Sequence, residues 1–277
     1  MTERWVLFAF GLAILTASLI IGLRARRHGP RAATTVIVLC LVPVLLRATL
    51  LLFPALEFRF LCHDGYALLR PWWSVPFAIA LFTTASPHMT SRLSRSGLVG
   101  LSLILFVSGT DRLLATARFD PGSMTGRIDE FGICRQTTDY TCGAAAAATL
   151  LYRYGVVTDE REMAEHCWTN SMTGTDELCV ARGLRRMLVG SGLEPELSIA
   201  SWDDLVAWGG PAAVTVKYEL FVDHWVVVLS IVGDRVEIGD PIDGRLVIPK
   251  ESFLELWRGR MVTIRPTGDL ARAPRNR

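Results

Sequence analysis

Four residues in the C-terminal half of this 277-residue chain have the types and order that acyl transfer requires: Gln136, Cys142, His224 and Asp240. Cys142 closes the polar run Gln136-Thr137-Thr138-Asp139-Tyr140-Thr141 and opens a run of small residues, Gly143 to Ala148, followed by Thr149 to Tyr154 and Gly155. Alanine is the strongest helix former and glycine a common helix stop, so a helix is expected from Cys142 to Gly155. A cysteine at a helix N-terminus meets the positive end of the macrodipole, which favours the thiolate. Gln136 offers an uncharged donor beside that nucleophile, as an oxyanion site needs. His224 opens the apolar run His224 to Val232, which reads as a strand, so it shares a face with Val226, Val228 and Ser230. Asp240 lies just past the next strand, where a hairpin would bring it to the imidazole. A thiol, a base, an orienting carboxylate and an amide form a Cys-His-Asp arrangement.

Each of these residues also has a purely structural reading. A cysteine on an alanine-rich helix is often a small core hydrophobe, a histidine at a strand end is often half-buried, and an aspartate before proline is a common turn residue. The order of all four across the chain argues for chemistry. Asp243 is assigned only to its turn.

The surrounding elements are expected to be helices first and an antiparallel sheet second, an α+β arrangement. Helices are read over Asp159–Trp168, from a Thr175 cap to about Val189, and over Trp202–Trp208 behind a Ser201/Asp204 capping box. Strands follow at Ala212–Tyr218, His224–Val232, Arg235–Ile238 and Arg245–Ile248. Ser252–Trp257 reads as a helical turn and Met261–Ile264 as an edge strand.

The N-terminal part is of a different kind. Half of the chain is hydrophobic and mean hydropathy is +0.34, which suits one soluble domain plus a membrane region. Apolar spans are read at Trp5–Leu23, Ala33–Phe53, Tyr66–Ala85 and Gly97–Ala117. Arg24, Arg26, Arg27 and Arg31 follow the first span, and Arg92 and Arg95 precede the fourth. The positive-inside rule puts both basic loops in the cytoplasm, so four crossings leave the C-terminal domain extracytoplasmic, and loss of the third would reverse it. The expected divisions are a multi-pass membrane region at 1–117, a linker at 118–127, a catalytic domain at 128–265 and a disordered tail at 266–277.

Net charge is +2, which points away from nucleic acid. The only lysines, Lys217 and Lys250, lie outside any phosphate-loop pattern, so no ATP site is expected. Cys40, Cys62, Cys134, Cys142, Cys167 and Cys179 show no paired spacing for zinc. Cys134, Cys167 and Cys179 read as core residues, two of which could form a disulfide in an extracytoplasmic domain. Cys62-His63-Asp64, between the second and third spans, reads as a plain loop.

At its chemical residues the chain resembles the bacteriocin-processing, double-glycine-type cysteine peptidases, which are papain-like. The likeness lies in Gln136, five residues, then Cys142-Gly143-Ala144; in Gly174-Thr175 opening a helix; in His224 before Trp225-Val226-Val227-Val228; in Asp240-Pro241 with Gly244; and in Phe253, Trp257 and Gly259. It covers about 128–264. The resemblance implies Cys142 as nucleophile, His224 as general base and acid, Asp240 as its orienter, and Gln136 with the Cys142 backbone N–H as oxyanion hole. It further implies a peptide or protein substrate, a thioester acyl-enzyme, and no metal or organic cofactor. The spans ahead of the domain and the missing ATPase depart from the best-known members, which leaves double-glycine leader specificity and export coupling open. A lipid bilayer is the other expected partner. A transamidase or amidase with the same triad and a catalytically silent peptide-binding module are the competing readings.

Overall fold

A computed structural model describes residues 2–220 and 222–267, and the chain divides into two compact units. The first comprises residues 1–56 and 69–118, and the second comprises 57–68 and 119–277.

The first unit contains α1 (Thr2–Arg27), α2 (Pro30–Leu52), α5 (Val75–Ala85), a 3₁₀ turn at Ser86–His88 and α6 (Arg92–Ala117). The stretches Glu3–Arg27, Pro30–Leu52 and Arg92–Ala117 are long and apolar enough to cross a membrane. At 1.5 Å per residue each covers more than the roughly 30 Å of a hydrocarbon core. The outer surface of α2 carries Leu39, Val42 and Leu46, all exposed, as a lipid-facing helix would. The expected span Tyr66–Ala85 is not one helix. Residues 70–74 interrupt it, because Pro71 has no N–H to donate and disfavours helix at Arg70. The chain resumes as α5, whose Pro76 suits a first turn. The 11 residues of α5 cover roughly 16 Å, about half of a bilayer core. This short helix packs against α1, α2 and α6, with Ile79 buried beside Leu15 and Leu113.

The second unit begins with a segment the sequence assigns to the membrane region. α3 (Pro54–Leu61) and α4 (Asp64–Leu69) contribute Phe58 and Ala67 to the core of this second unit. That core also holds α7 (Cys142–Tyr152), α8 (Glu160–His166) and α9 (Glu177–Met187). Arg185 of α9 pairs with Asp64 and reaches the Cys62 carbonyl at 3.2 Å, while the Cys179 thiol faces the Ala67 carbonyl at 3.7 Å. Cys62-His63-Asp64 is thus a docked corner rather than a free loop. The Tyr66 hydroxyl donates to the buried Glu57 carboxylate at 2.7 Å.

The sheet has the order β1-β6-β2-β3-β4-β5, formed by Leu193–Ile199, Trp257–Pro266, Ala212–Lys217, Asp223–Val232, Arg235–Asp240 and Gly244–Pro249. All its pairings are antiparallel. The helix-then-sheet order holds, with two corrections. Leu193–Ile199 is a strand absent from the sequence reading, and it is the edge. Trp257–Pro266 is interior, paired with β1 on one side and β2 on the other. Pro266, expected in the tail, still pairs with Leu193; the tail from 268 onward lies outside the described residues. One sheet face meets α7 through Trp225 and Val227, and the other packs Val226 and Val228 with Phe253 of α11 (Lys250–Leu256). The Ser201/Asp204 capping box opens α10 (Trp202–Trp208) as expected. The cap of α9 is Asp176 rather than Thr175, its carboxylate accepting from the Cys179 N–H at 2.9 Å.

Phe58→Ala removes an aromatic side chain from the core of the second unit. It is expected to destabilise that unit by about 3–5 kcal/mol, read as a lower denaturant midpoint for loss of Trp225 burial. An unchanged midpoint would mean that 57–68 only rests on the surface.

Candidate active site

The site is built around α7. Ala144 to Ala148 are all fully buried, so side chains no larger than methyl set the distance between this helix and its neighbours. Gly143 makes the closest approach: a Cβ there would lie 2.7 Å from the Thr175 Cβ and 3.1 Å from the Trp225 ring. Trp225 in turn donates its indole N–H to the Thr175 carbonyl at 3.0 Å. The start of α7 is therefore pinned to the first residues of β3, where His224 lies.

His224 is buried, and its Nε2 lies 2.9 Å from Asp240 Oδ1. The Cys142 side chain also acts on this imidazole. Burial alone would push the imidazole down. The hydrogen bond to Asp240 and the action of Cys142, with their charges, outweigh it and lift His224 from its usual 6.5 to about 9. Asp240 is held below the usual carboxylate range: its burial acts upward, but His224 and the backbone N–H groups of Ile242 and Asp243 act downward more strongly. Those N–H groups reach Asp240 Oδ1 at 2.7 and 3.3 Å, so the turn itself fixes the carboxylate. β4 ends on Asp240, and the register of β3 with β4 puts it on the His224 face of the sheet.

Three of the four residues singled out in the sequence thus converge. Gln136 is close in backbone, its N–H donating to the Pro241 carbonyl at 3.0 Å. Its side-chain amide donates to the Thr138 carbonyl at 2.7 Å, and its Oε1 has no partner among the described residues. The cleft that exposes Cys142 has a volume of about 500 Å³; Gln136, His224 and Asp240 all lie outside its lining. Cys134, Cys167 and Cys179 are buried free thiols. Burial pushes Cys134 and Cys167 up to about 12 and Cys179 upward as well, which leaves them chemically quiet.

One residue escaped the sequence reading. Glu160, the first residue of α8, is fully buried and anchors the approach to Cys142. Its carboxylate accepts from the Gly126 N–H at 2.9 Å, the Thr137 N–H and hydroxyl at 2.7 and 2.6 Å, and the Thr141 hydroxyl at 2.5 Å. Thr141 precedes the nucleophile directly. The sequence presents Glu160 only as an acid in a first helical turn, which carries no hint of a partner 23 residues away.

Because protonated His224 persists up to about pH 9, activity that needs the imidazolium should fall as pH rises through that value. Asp240→Asn removes a contribution that raises the imidazole, so the alkaline limb of kcat/KM should move to lower pH. An unmoved limb would separate Asp240 from the titration. Glu160→Ala should destabilise the catalytic unit by about 1–3 kcal/mol for each buried donor left without a partner, as measured by chemical denaturation. Slower alkylation of Cys142 should accompany it.

The model of the Peptidase C39 family matches residues 130–269. The chain is 29% identical over 148 residues to an uncharacterized protein of Methanothermobacter marburgensis, covering 53% of this chain and 94% of that one. It is 31% identical over 134 residues to the probable functional amyloid protease FapD of Pseudomonas fluorescens, covering 46% and 57%. Among solved structures, the peptidase domain of Streptococcus ComA, a bi-functional ABC transporter involved in quorum sensing, is similar at 24% identity and a TM-score of 0.43, covering 48% of this chain and 96% of that one. A double glycine motif protease from an AMS/PCAT transporter, in complex with the leader peptide, is similar at 25% identity and a TM-score of 0.42, covering 51% and 95%.

Proposed function

This chain belongs to the peptidase C39 family and is a cysteine peptidase, and from that premise we propose a membrane-anchored enzyme that cleaves a peptide or protein through Cys142, His224 and Asp240. The observation that carries the proposal is the buried His224 bonded to Asp240 at 2.9 Å, with Cys142 at the start of α7 acting on the same imidazole. With Nε2–H directed at Asp240, the other ring nitrogen accepts the thiol proton. The thiolate attacks the substrate carbonyl. The imidazolium then protonates the departing amine as the C–N bond breaks, which leaves a thioester on Cys142. His224 next takes a proton from water as the hydroxide adds to the thioester, and returning that proton to the sulfur frees the acid and the enzyme.

The oxyanion is assigned to the Cys142 backbone N–H, unpaired within α7 because it lies in the first turn, and to the Gln136 amide. The Gln136 Nε2 carries a second hydrogen besides the one given to Thr138. Its neighbouring backbone is tied to Pro241, next to Asp240, so it moves with the triad.

The arrangement of the first unit supports an extracytoplasmic catalytic unit. Arg26, Arg92 and Arg95 line one cavity, so the α1–α2 corner and the turn before α6 share one end of the helical unit. Arg4 donates to the Thr116 carbonyl at the other end, from which the chain runs on into the catalytic unit. The basic end belongs in the cytoplasm by the positive-inside rule. The chain returns to that end through the short α5, so the parity of four passages is kept although α5 is too short to span by itself.

Cys142→Ala should abolish peptide cleavage and leave the denaturation midpoint nearly unchanged. Gln136→Ala should cost about 2.7–4 kcal/mol of barrier, seen in kcat rather than KM, and an unchanged kcat would remove Gln136 from the mechanism. A membrane-impermeant thiol reagent should label Cys62, which is partly exposed, in intact cells. Labelling only after lysis would reverse the topology.

A further inference from the structure

We propose that the cleft beside Cys142 contains a subsite for an uncharged, hydrogen-bonding side chain of the substrate, a hydroxyl or a carboxamide, and that Thr215 is the residue that selects it. The proposal rests on the peptidase reading and deepens it by naming the substrate class for that same site. Thr215 lines the cleft and is 3% exposed, and its hydroxyl has no hydrogen-bond partner among the described residues. A buried hydroxyl without a partner is costly, and a ligand that bonds to it removes the penalty. Thr215 lies on β2 opposite Trp225, on the sheet face that meets α7. The indole N–H of Trp225 is already given to the Thr175 carbonyl at 3.0 Å. At this pair the sheet therefore offers the cleft an aromatic ring and one idle hydroxyl.

The strand pairing beside Thr215 points the same way. β2 meets β6 at Val214 with Met261 and at Val216 with Trp257. Thr215 alone thus stands against Arg258, Gly259 and Arg260, where a regular ladder would oppose one residue. Bulges of this kind re-aim side chains beside active sites. Arg258 and Arg260, on that excursion, pair with Asp223 at 2.9 Å each, and Arg260 Nε pairs with Glu177 at 3.0 Å, so these two acidic residues of the cleft are already engaged. A charged side chain carried to Thr215 would give up hydration that a single neutral hydroxyl cannot replace. An uncharged partner gives up less and gains a full bond, because hydroxyl and carboxamide groups both donate and accept. The partner is a side chain and not the substrate main chain. β2 is interior, between β6 and β3, so Thr215 belongs to the floor of the cleft rather than to an open edge along which a peptide could pair.

The test uses the full-length protein in detergent and a library of peptides made from a proteome with trypsin, with the cuts located by mass spectrometry. In one cleaved peptide, each position near the cut is then set in turn to threonine and to valine, which have nearly the same shape. At one position the threonine peptide should be cleaved about fivefold faster in kcat/KM than the valine peptide, the worth of one net hydrogen bond. Thr215→Val should bring that ratio close to one, and Thr215→Ser should keep it. The ratio is the readout, since a packing defect slows both peptides alike. No threonine preference at any position, or a preference unchanged in Thr215→Val, would overturn the subsite. Absence of any cleavage would tell against the peptidase mechanism instead. The subsite would then be decided by the peptides that the Cys142→Ala chain retains from the same library. Enrichment of serine, threonine, asparagine or glutamine that is lost on adding Thr215→Val would support it, and retention without that enrichment, or no retention, would overturn it.

Discussion

The catalytic unit depends on how closely α7 can approach the sheet. Five consecutive alanines and Gly143 leave no side chain larger than methyl on that stretch of the helix, and all are buried. Protein interiors are packed as densely as organic crystals, so a helix held this close has little freedom to shift. The thiol at its first residue is thereby delivered to a histidine at the start of β3, with Gly143 against Thr175 and Trp225 as the tightest contact. A larger side chain at Gly143 would separate the sulfur from the imidazole before it did anything else.

Around that contact the polar groups are arranged by hydrogen bonds rather than by exposed ion pairs. Asp240 is held by two backbone N–H groups of its own turn as well as by His224. Glu160 gathers four donors from the strand-like approach and the residue before Cys142. Both carboxylates are buried and both are satisfied, a condition under which a low local dielectric strengthens a network instead of penalising it. The two clusters act on different parts of the machinery, one fixing the imidazole and the other the loop that leads to the thiol.

The segment 57–68 joins two roles. It lies in sequence between apolar helices, yet Phe58 and Ala67 are part of the catalytic core and Asp64 pairs with Arg185 of α9. The first residue of α9 and its cap, Glu177 and Asp176, line the cleft at Cys142. The same helix therefore carries the docked segment on its C-terminal turn and one wall of the cleft at its N-terminus. The chain between α2 and α5 is a structural part of the peptidase and not merely a connection.

Sequence alone named the candidate residues and determined the kind of fold that carries them. Cys142 before an alanine run, His224 before a β-branched run and Asp240 before proline are local signals, because helix start, strand and turn are each set by residues within a few positions. The helix-then-sheet order followed from the change of period. Tertiary structure decided what depends on distant partners. It made Trp257–Pro266 an interior strand by pairing it with Leu193–Ile199, where Pro195 obscures an otherwise regular apolar–polar alternation. Pro71 divided an apolar stretch whose hydropathy suggested one span. Glu160 became an anchor only when the chain folded back 34 residues to Gly126, and Thr215 became a cleft hydroxyl only when β2 took its place beside β3. Periodicity records which face of an element is buried; it holds no information about which group, far away in sequence, will be waiting there.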